Sequence, residues 1–431
     1  MIPTRRIPRG FTLLEMAVAT AALGVALSAA MYIVVGVSSS AERVRRVGDT
    51  QDTARIALDA LAGEIRMSGA GVSNGQIGIG TVGGTGWVGR VPAIYSGPDI
   101  TVTTKGGQQL VTNSLFIISS EPGAGVPSSD GAGMQGAVAS KSLDPNNGIQ
   151  IKCTNQLGTP VDCADGSFKE NTIISGLWGT KPGIDNALLV GDYANAVYLR
   201  PTQIGGVVSG SQGMQFREMA IANGYSTDPK APFGFAQGAS LGKARVTHWY
   251  LKQVTPGDWE LMRSHPMLDD KWTGCSTPDA SPFIDETNSP DGPAGTVVGS
   301  GPVENLQIRF AVDAGSFDNP QKFVMWGLSN TQFNFPDGSQ VTSGGTKLHM
   351  GVCDVLQDGN YASRQVREVR VSIVARSFAP DHATDGVKHV KRYGLASWEG
   401  VAPTGGALDE YPRRSFEARV VPRNLQGILR L

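Results

Sequence analysis

From Met16 to Ala41 the chain runs for 26 residues without a formal charge. About 20 apolar residues suffice to cross a hydrocarbon core of roughly 30 Å, so this run is placed in a membrane. Lipid offers no hydrogen bonds to an open backbone, which makes the segment a helix. One carboxylate, Glu15, stands at its start. A charge costs about 2.5–3.5 kcal/mol at the centre of a bilayer and less near the interface. Glu15 therefore needs a partner: a lipid headgroup, water, a cation, or a positive group on another chain. Before it lies MIPTRRIPRG, with Arg5, Arg6 and Arg9 and no acid. That bias keeps the N-terminus cytoplasmic and sends the rest of the chain outward.

A secretory signal peptide also has a basic start and an apolar stretch. Here the run is too long for an ordinary signal, the small residue Gly10 precedes it, and the helical pattern continues beyond it. The letters GFTLLE, Gly10 to Glu15, resemble the class III signal of type IV pilins and pseudopilins. The resemblance implies that residues 1–10 are a leader, that an aspartyl prepilin peptidase cuts between Gly10 and Phe11, and that Phe11 is then N-methylated. It also implies a role for Glu15 in filament assembly, pairing with the cationic N-terminus of a neighbouring subunit.

Beyond Ser40, the residues Val44, Val47, Gln51, Ala54, Leu58, Leu61 and Ile65 recur at steps of three and four, an amphipathic stripe. Gly69 and Gly71 supply a stop. The expectation is one helix over 11–67, transmembrane over about 13–37 and packed on the head thereafter. Residues 68–240 are rich in Gly, Ser, Thr, Asn and Pro, with short β-like runs such as SLFIIS, GIQIK and ALLVGDYANAVYL. Over 241–431 the strands sharpen: ARVTHWYLKQ, WELMRS, ENLQIRFAVD, REVRVSIVARS and SFEARVVPRN. Val369, Val371, Ile373 and Ala375 alternate with Arg370, Ser372 and Arg376, which predicts an antiparallel sheet with one face buried. The fold class is α+β, a long N-terminal helix on a β-rich head. The order of these segments is similar to the PilW family of minor type IV pilins, with about 75–240 matching poorly.

Charged residues make up 17% of the chain, Gly numbers 56 of 431, and the formal charge is −1. Such a balance gives no overall electrostatic footprint for nucleic acid. The four cysteines are Cys153, Cys163, Cys275 and Cys353. An even count outside the cytoplasm favours two disulfides. Three connectivities are open, with Cys153–Cys163 as a local staple and Cys275–Cys353 across the later half preferred. Zinc is disfavoured, because there is no CxxC and no histidine at ligand spacing.

Other motifs read as structure. Three GxGxxG stretches, beginning at Gly78, Gly84 and Gly131, open no amphipathic helix, as a dinucleotide site requires. GVSNG, Gly71 to Gly75, follows a helix and so lacks the strand-to-helix setting of a nucleophile elbow. The five histidines are scattered, and His248 in THWYL reads as strand packing. FIDETNSPDG and LDPNNG are acidic loops that offer calcium a minor opportunity without an EF-hand pattern. Residues 361–431 hold twelve Lys or Arg, among them Lys388, Lys391, Arg392, Arg413 and Arg414, against seven acids. That excess fits a solvated strand face, an acidic partner pilin or, less well, DNA.

The resemblance implies a non-enzymatic minor type IV pilin with no cofactor, metal or catalytic residue. It would prime pilus assembly and sit near the filament tip. It would start in the inner membrane with a periplasmic head and end in an extracellular pilus. Its partners would be other minor and major pilins, the prepilin peptidase, the inner membrane and a large tip adhesin. The alternatives are a J-type pseudopilin of a type II secretion system and a tip adhesin or DNA receptor.

Overall fold

The computed structural model describes residues 12–70, 76–80, 87–97, 99–120, 137–138, 149–152, 188–191, 196–199, 201–209, 215–221, 239–268, 283–284, 295–299, 301–313, 324–328, 342–343, 346–347, 366–378, 380, 394 and 403–422. Helix α1 runs unbroken over Leu13–Met67, 55 residues, or about 82 Å at 1.5 Å per residue. Thr12 caps its start with an extended backbone. At the other end Ser68 N–H and Oγ–H both donate to Ile65 O, at 3.1 and 2.7 Å. Gly69 then takes φ of 72°, a left-handed turn that a side chain would resist.

The stripe that α1 buries is Thr50, Thr53, Ala54, Ala57, Leu61, Ala62 and Ile65. Ala54, Leu61 and Ile65 match the expected stripe and Leu58 is half-buried, but Val44 and Gln51 are exposed. The buried face has rotated toward small residues for a steric reason. The crossing segment at Gly299 and Gly301 lies on Thr53, and a Cβ at either position would come within 3.2 or 3.0 Å of the Thr53 side chain. Thr50 and Thr53 hydroxyls donate to Arg46 O and Asp49 O, at 2.8 and 2.9 Å, so neither is buried without a bond.

Two large sheets, of four and thirteen strands, dominate the described part of the head, beside three two-stranded pairs. The first is four-stranded and antiparallel, in the order Val324–Leu328, Val303–Asp313, Val366–Arg376, Arg413–Val420. The second is organised by the 17-residue strand Ala239–Thr255. Its first part pairs with Ala137–Val138 and Leu188–Gly191, and its second part with Leu115–Ser120 and Asp258–Ser264. All these pairings are antiparallel; Gln76–Gly80 with Ala196–Leu199 is a parallel exception within the same sheet. ALLVGDYANAVYL is not one strand but two, Leu188–Gly191 and Ala196–Leu199, paired antiparallel.

α1 lies against Val366–Arg376, Arg413–Val420 and Leu115–Ser120. One hydrophobic cluster joins helix and sheets through residues such as Leu61, Ile65, Ile117, Trp249, Ile308 and Val371. The Val366–Arg376 strand departs from the one-face expectation, because Val371 to Arg376 are all buried. Sandwiching of this strand between layers hides Ser372 and Arg376 as well as the aliphatic face.

Candidate functional site

The surface that stands out is the unpartnered first half of α1. From Thr12 to Arg45 every side chain is exposed except half-buried Ser39. Leu13, Val25, Tyr32 and Val44 are each more than two-thirds exposed. The helix is long and apolar enough to cross a membrane. Its hydroxyls are suited to lipid, since they bond inside the helix: Thr20 Oγ1 donates to Met16 O at 2.9 Å and Ser28 Oγ to Gly24 O at 2.8 Å.

Glu15 sits at the third helical position and closes a capping box with Thr12. Its Oε2 accepts from Thr12 N–H and from Thr12 Oγ1–H, both at 2.9 Å, and Glu15 N–H donates to Thr12 Oγ1 at 3.2 Å. The carboxylate is thus held at the helix N-terminus, where the helix dipole favours negative charge. Gly10 and Phe11 lie outside the described residues.

Polar clusters fasten this shaft to the head. Trp249 Nε1–H donates to Glu64 Oε2 at 2.6 Å, and Arg263 and Arg245 approach Glu64 Oε1 at 3.5 and 3.7 Å. Lower down, Arg46 pairs with Glu42 and donates through Nη1 to Pro380 O at 2.8 Å.

A buried ionic cluster lies under the turn that leads into the last described strand. Register between Val303–Asp313 and Val366–Arg376 shifts from Val303↔Ala375 to Asn305↔Val374, leaving Glu304 as the extra residue of a bulge. The bulge turns the Glu304 carboxylate inward, where it is fully buried. Arg376 Nε lies 2.9 Å from Glu304 Oε1, and Arg413 Nε donates to Glu304 Oε2 at 2.6 Å. Arg413 also forks onto Asp409, Nη1 to Oδ1 and Nη2 to Oδ2, both at 2.6 Å. Arg376 further pairs with Asp258, which Lys105 reaches at 3.0 Å. The Tyr411 ring lies over the Arg376 guanidinium, 4.4 Å from Cζ to centroid. Burial pushes Glu304 above the ordinary carboxylate value, against the pull of Arg413 and Arg376. At Asp409 burial acts the same way but the Arg413 fork outweighs it, and its pKa falls below the ordinary 3.8.

Arg413, read from sequence as part of a cationic excess, is therefore committed inside the head, and Arg414 beside it is exposed. A different basic row exists. Arg309, Arg370 and Arg419 face one another across three adjacent strands. Burial and the neighbouring Arg370 charge both lower the Arg309 pKa.

His248 packs as its setting in the strand predicts, stacked 4.0 Å from Phe116 and 4.6 Å from Tyr250. Gly78 and Gly89 lie in the paired strands Gln76–Gly80 and Trp87–Pro92, away from any helix start. Cys153, Cys163, Cys275, Cys353, Lys388, Lys391, Arg392, GVSNG, LDPNNG and all but the first two residues of FIDETNSPDG lie outside the described residues. The Glu304–Arg376–Arg413 cluster went unread in the sequence. Its signal is a glutamate and an arginine at the ends of two apolar strands, where alternation alone assigns them to solvent.

No family model and no curated protein matches the chain. Among solved structures, the chain is similar to a type IV-like pilin from Thermus thermophilus, at 12% identity over 56% of this chain and 84% of that one. The TM-score is 0.19, too loose a superposition to carry any inference.

Proposed function

We propose that this chain is a PilW-like minor type IV pilin, a non-enzymatic membrane-anchored subunit that primes pilus assembly near the filament tip. The observation that carries the reading is a single helix, α1, whose exposed apolar half begins at a capped glutamate and whose second half forms the spine of a β-rich head. Residues 1–10 are the leader, cut between Gly10 and Phe11, and Phe11 is the N-methylated mature terminus. Glu15 then neutralises the terminus of a neighbour as the helix passes from lipid into a filament, with other minor and major pilins as partners. Gly10→Val tests it, because the peptidase needs a residue without a side chain before the cut. Unprocessed precursor in the membrane is expected, and a mature N-terminus at Phe11 in that variant, read by mass spectrometry, refutes the reading.

A second reading, a receptor for DNA, draws on the Arg309, Arg370 and Arg419 row across three strands, in which Arg419 is 66% exposed and its acid, Glu368, lies 3.7 Å away. Retention of duplex DNA that weakens on Arg419→Glu supports it. Retention unchanged by that variant, or absent, removes it.

A further inference from the structure

The outward face of the upper stalk carries charges at a seven-residue interval: Arg45, Asp52, Asp59 and Arg66, all exposed. Residues seven apart on an α-helix drift by only about 20°, so the four form one axial row. Each lies about 10.5 Å from the next, too far to pair along its own helix, where ion pairs form at three or four residues. Arg45 has one marginal neighbour, Asp49 at 4.0 Å. Asp52, Asp59 and Arg66 have no ion pair among the described residues. Ile56, 53% exposed, and Gly63, with open space beyond it, lie on the same face. The head packs on the opposite side, at Thr50 to Ile65.

The order of signs along the row is plus, minus, minus, plus. Two parallel copies in register would oppose four like pairs. A shift of one interval sets Arg45 against Asp52 and Asp59 against Arg66, but also Asp52 against Asp59. A shift of two intervals sets Arg45 against Asp59 and Asp52 against Arg66, with no like pair. A shift of three leaves Arg45 facing Arg66. We propose that this face docks a second copy of the chain, parallel and displaced by two intervals, about 21 Å along the stalk. The inference rests on the pilin reading only in taking both stalks as parallel in one membrane. The charges set the offset, while Ile56 and the glycine leave room for close approach.

Cysteine cross-linking of the full chain in its membrane tests the offset with all four charges kept. Asp49→Cys and Gly63→Cys, placed in two differently tagged copies, differ by two intervals. Oxidation is expected to give the 49–63 disulfide, identified by peptide mapping, several-fold above the in-register 63–63 product of the single variant. Adding Arg45→Asp to both copies should lower that yield several-fold, and Arg45→Asp with Asp59→Arg should restore it, because the double exchange rebuilds the opposed pair. High salt should weaken the wild-type yield, as exposed charges are screened. Equal yields for 49–63 and 63–63, or no cross-link, overturn the proposal. So does a yield indifferent to Arg45→Asp. Processing at Gly10 and recovery of the subunit in sheared filaments report on the pilin reading separately, and both can hold while the cross-link fails.

Discussion

Asp409→Asn should cost the head about 2–3 kcal/mol at neutral pH. The carboxylate receives two charge-assisted bonds from Arg413, both 2.6 Å, with only 9% of its side chain exposed and 5% of the arginine's. Bonds to charged groups contribute about 1.5–3 kcal/mol each, and breaking a buried pair outright costs about 3–5 kcal/mol. The asparagine keeps one carbonyl acceptor for Arg413, and Arg413 keeps Glu304 at 2.6 Å, so the loss is that of one such bond. The pH dependence follows from the lowered Asp409 pKa. A depressed carboxyl stabilises the fold above its unfolded value and loses that contribution as pH falls through its folded value. The gap between wild type and Asp409→Asn should thus be full near neutrality and close only well below the ordinary 3.8. Denaturant unfolding of the full chain in detergent, followed by tryptophan fluorescence from neutral pH down into acid, measures it. Glu368→Gln is the control, since its partner Arg419 is 66% exposed at 3.7 Å and such pairs contribute at most about 1 kcal/mol. If Asp409→Asn is as mild as that control, or its cost stays constant into acid, the ionic cluster does not hold the turn as argued.

Glu15→Ala should still insert and be cut but fail to enter filaments; Glu15→Gln, which keeps polarity without charge, should fail equally, and wild-type recovery of either in sheared pili refutes charge pairing. Gly301→Val should destabilise by about 1–3 kcal/mol, because its Cβ would lie 3.0 Å from Thr53 Oγ1 where α1 meets the head, and an unchanged midpoint would show that the crossing segment can shift. Non-reducing peptide mapping should find two disulfides among Cys153, Cys163, Cys275 and Cys353, each contributing about 2–4 kcal/mol; four free thiols or a chelatable zinc refute this.

Periodicity made α1 legible to within two residues at its start, and the later strands as well, because both follow from where apolar residues recur. Which face α1 buries was harder to read. Apolar spacing chose Val44 and Gln51, whereas the structure buries Thr50 and Thr53. Their selection depends on how closely Gly299 and Gly301 approach, a tertiary fact with no local signature. The ionic cluster escaped for a related reason. Glu304 points inward because a bulge opposite Ala375 and Val374 reverses its side, and Arg376 is buried among Glu304, Asp258 and the Tyr411 ring, which distant parts of the chain supply.

The continuity of α1 has a mechanical meaning. With no proline between Leu13 and Met67 and backbone bonds throughout, the exposed apolar half and the head half form one lever rather than a rod with a joint. A change of tilt of about 10° at the apolar end displaces the far end of a shaft of about 82 Å by roughly 14 Å. Rotation about the axis likewise turns the head through the same angle. Whatever grips the apolar half of this subunit therefore also aims its head.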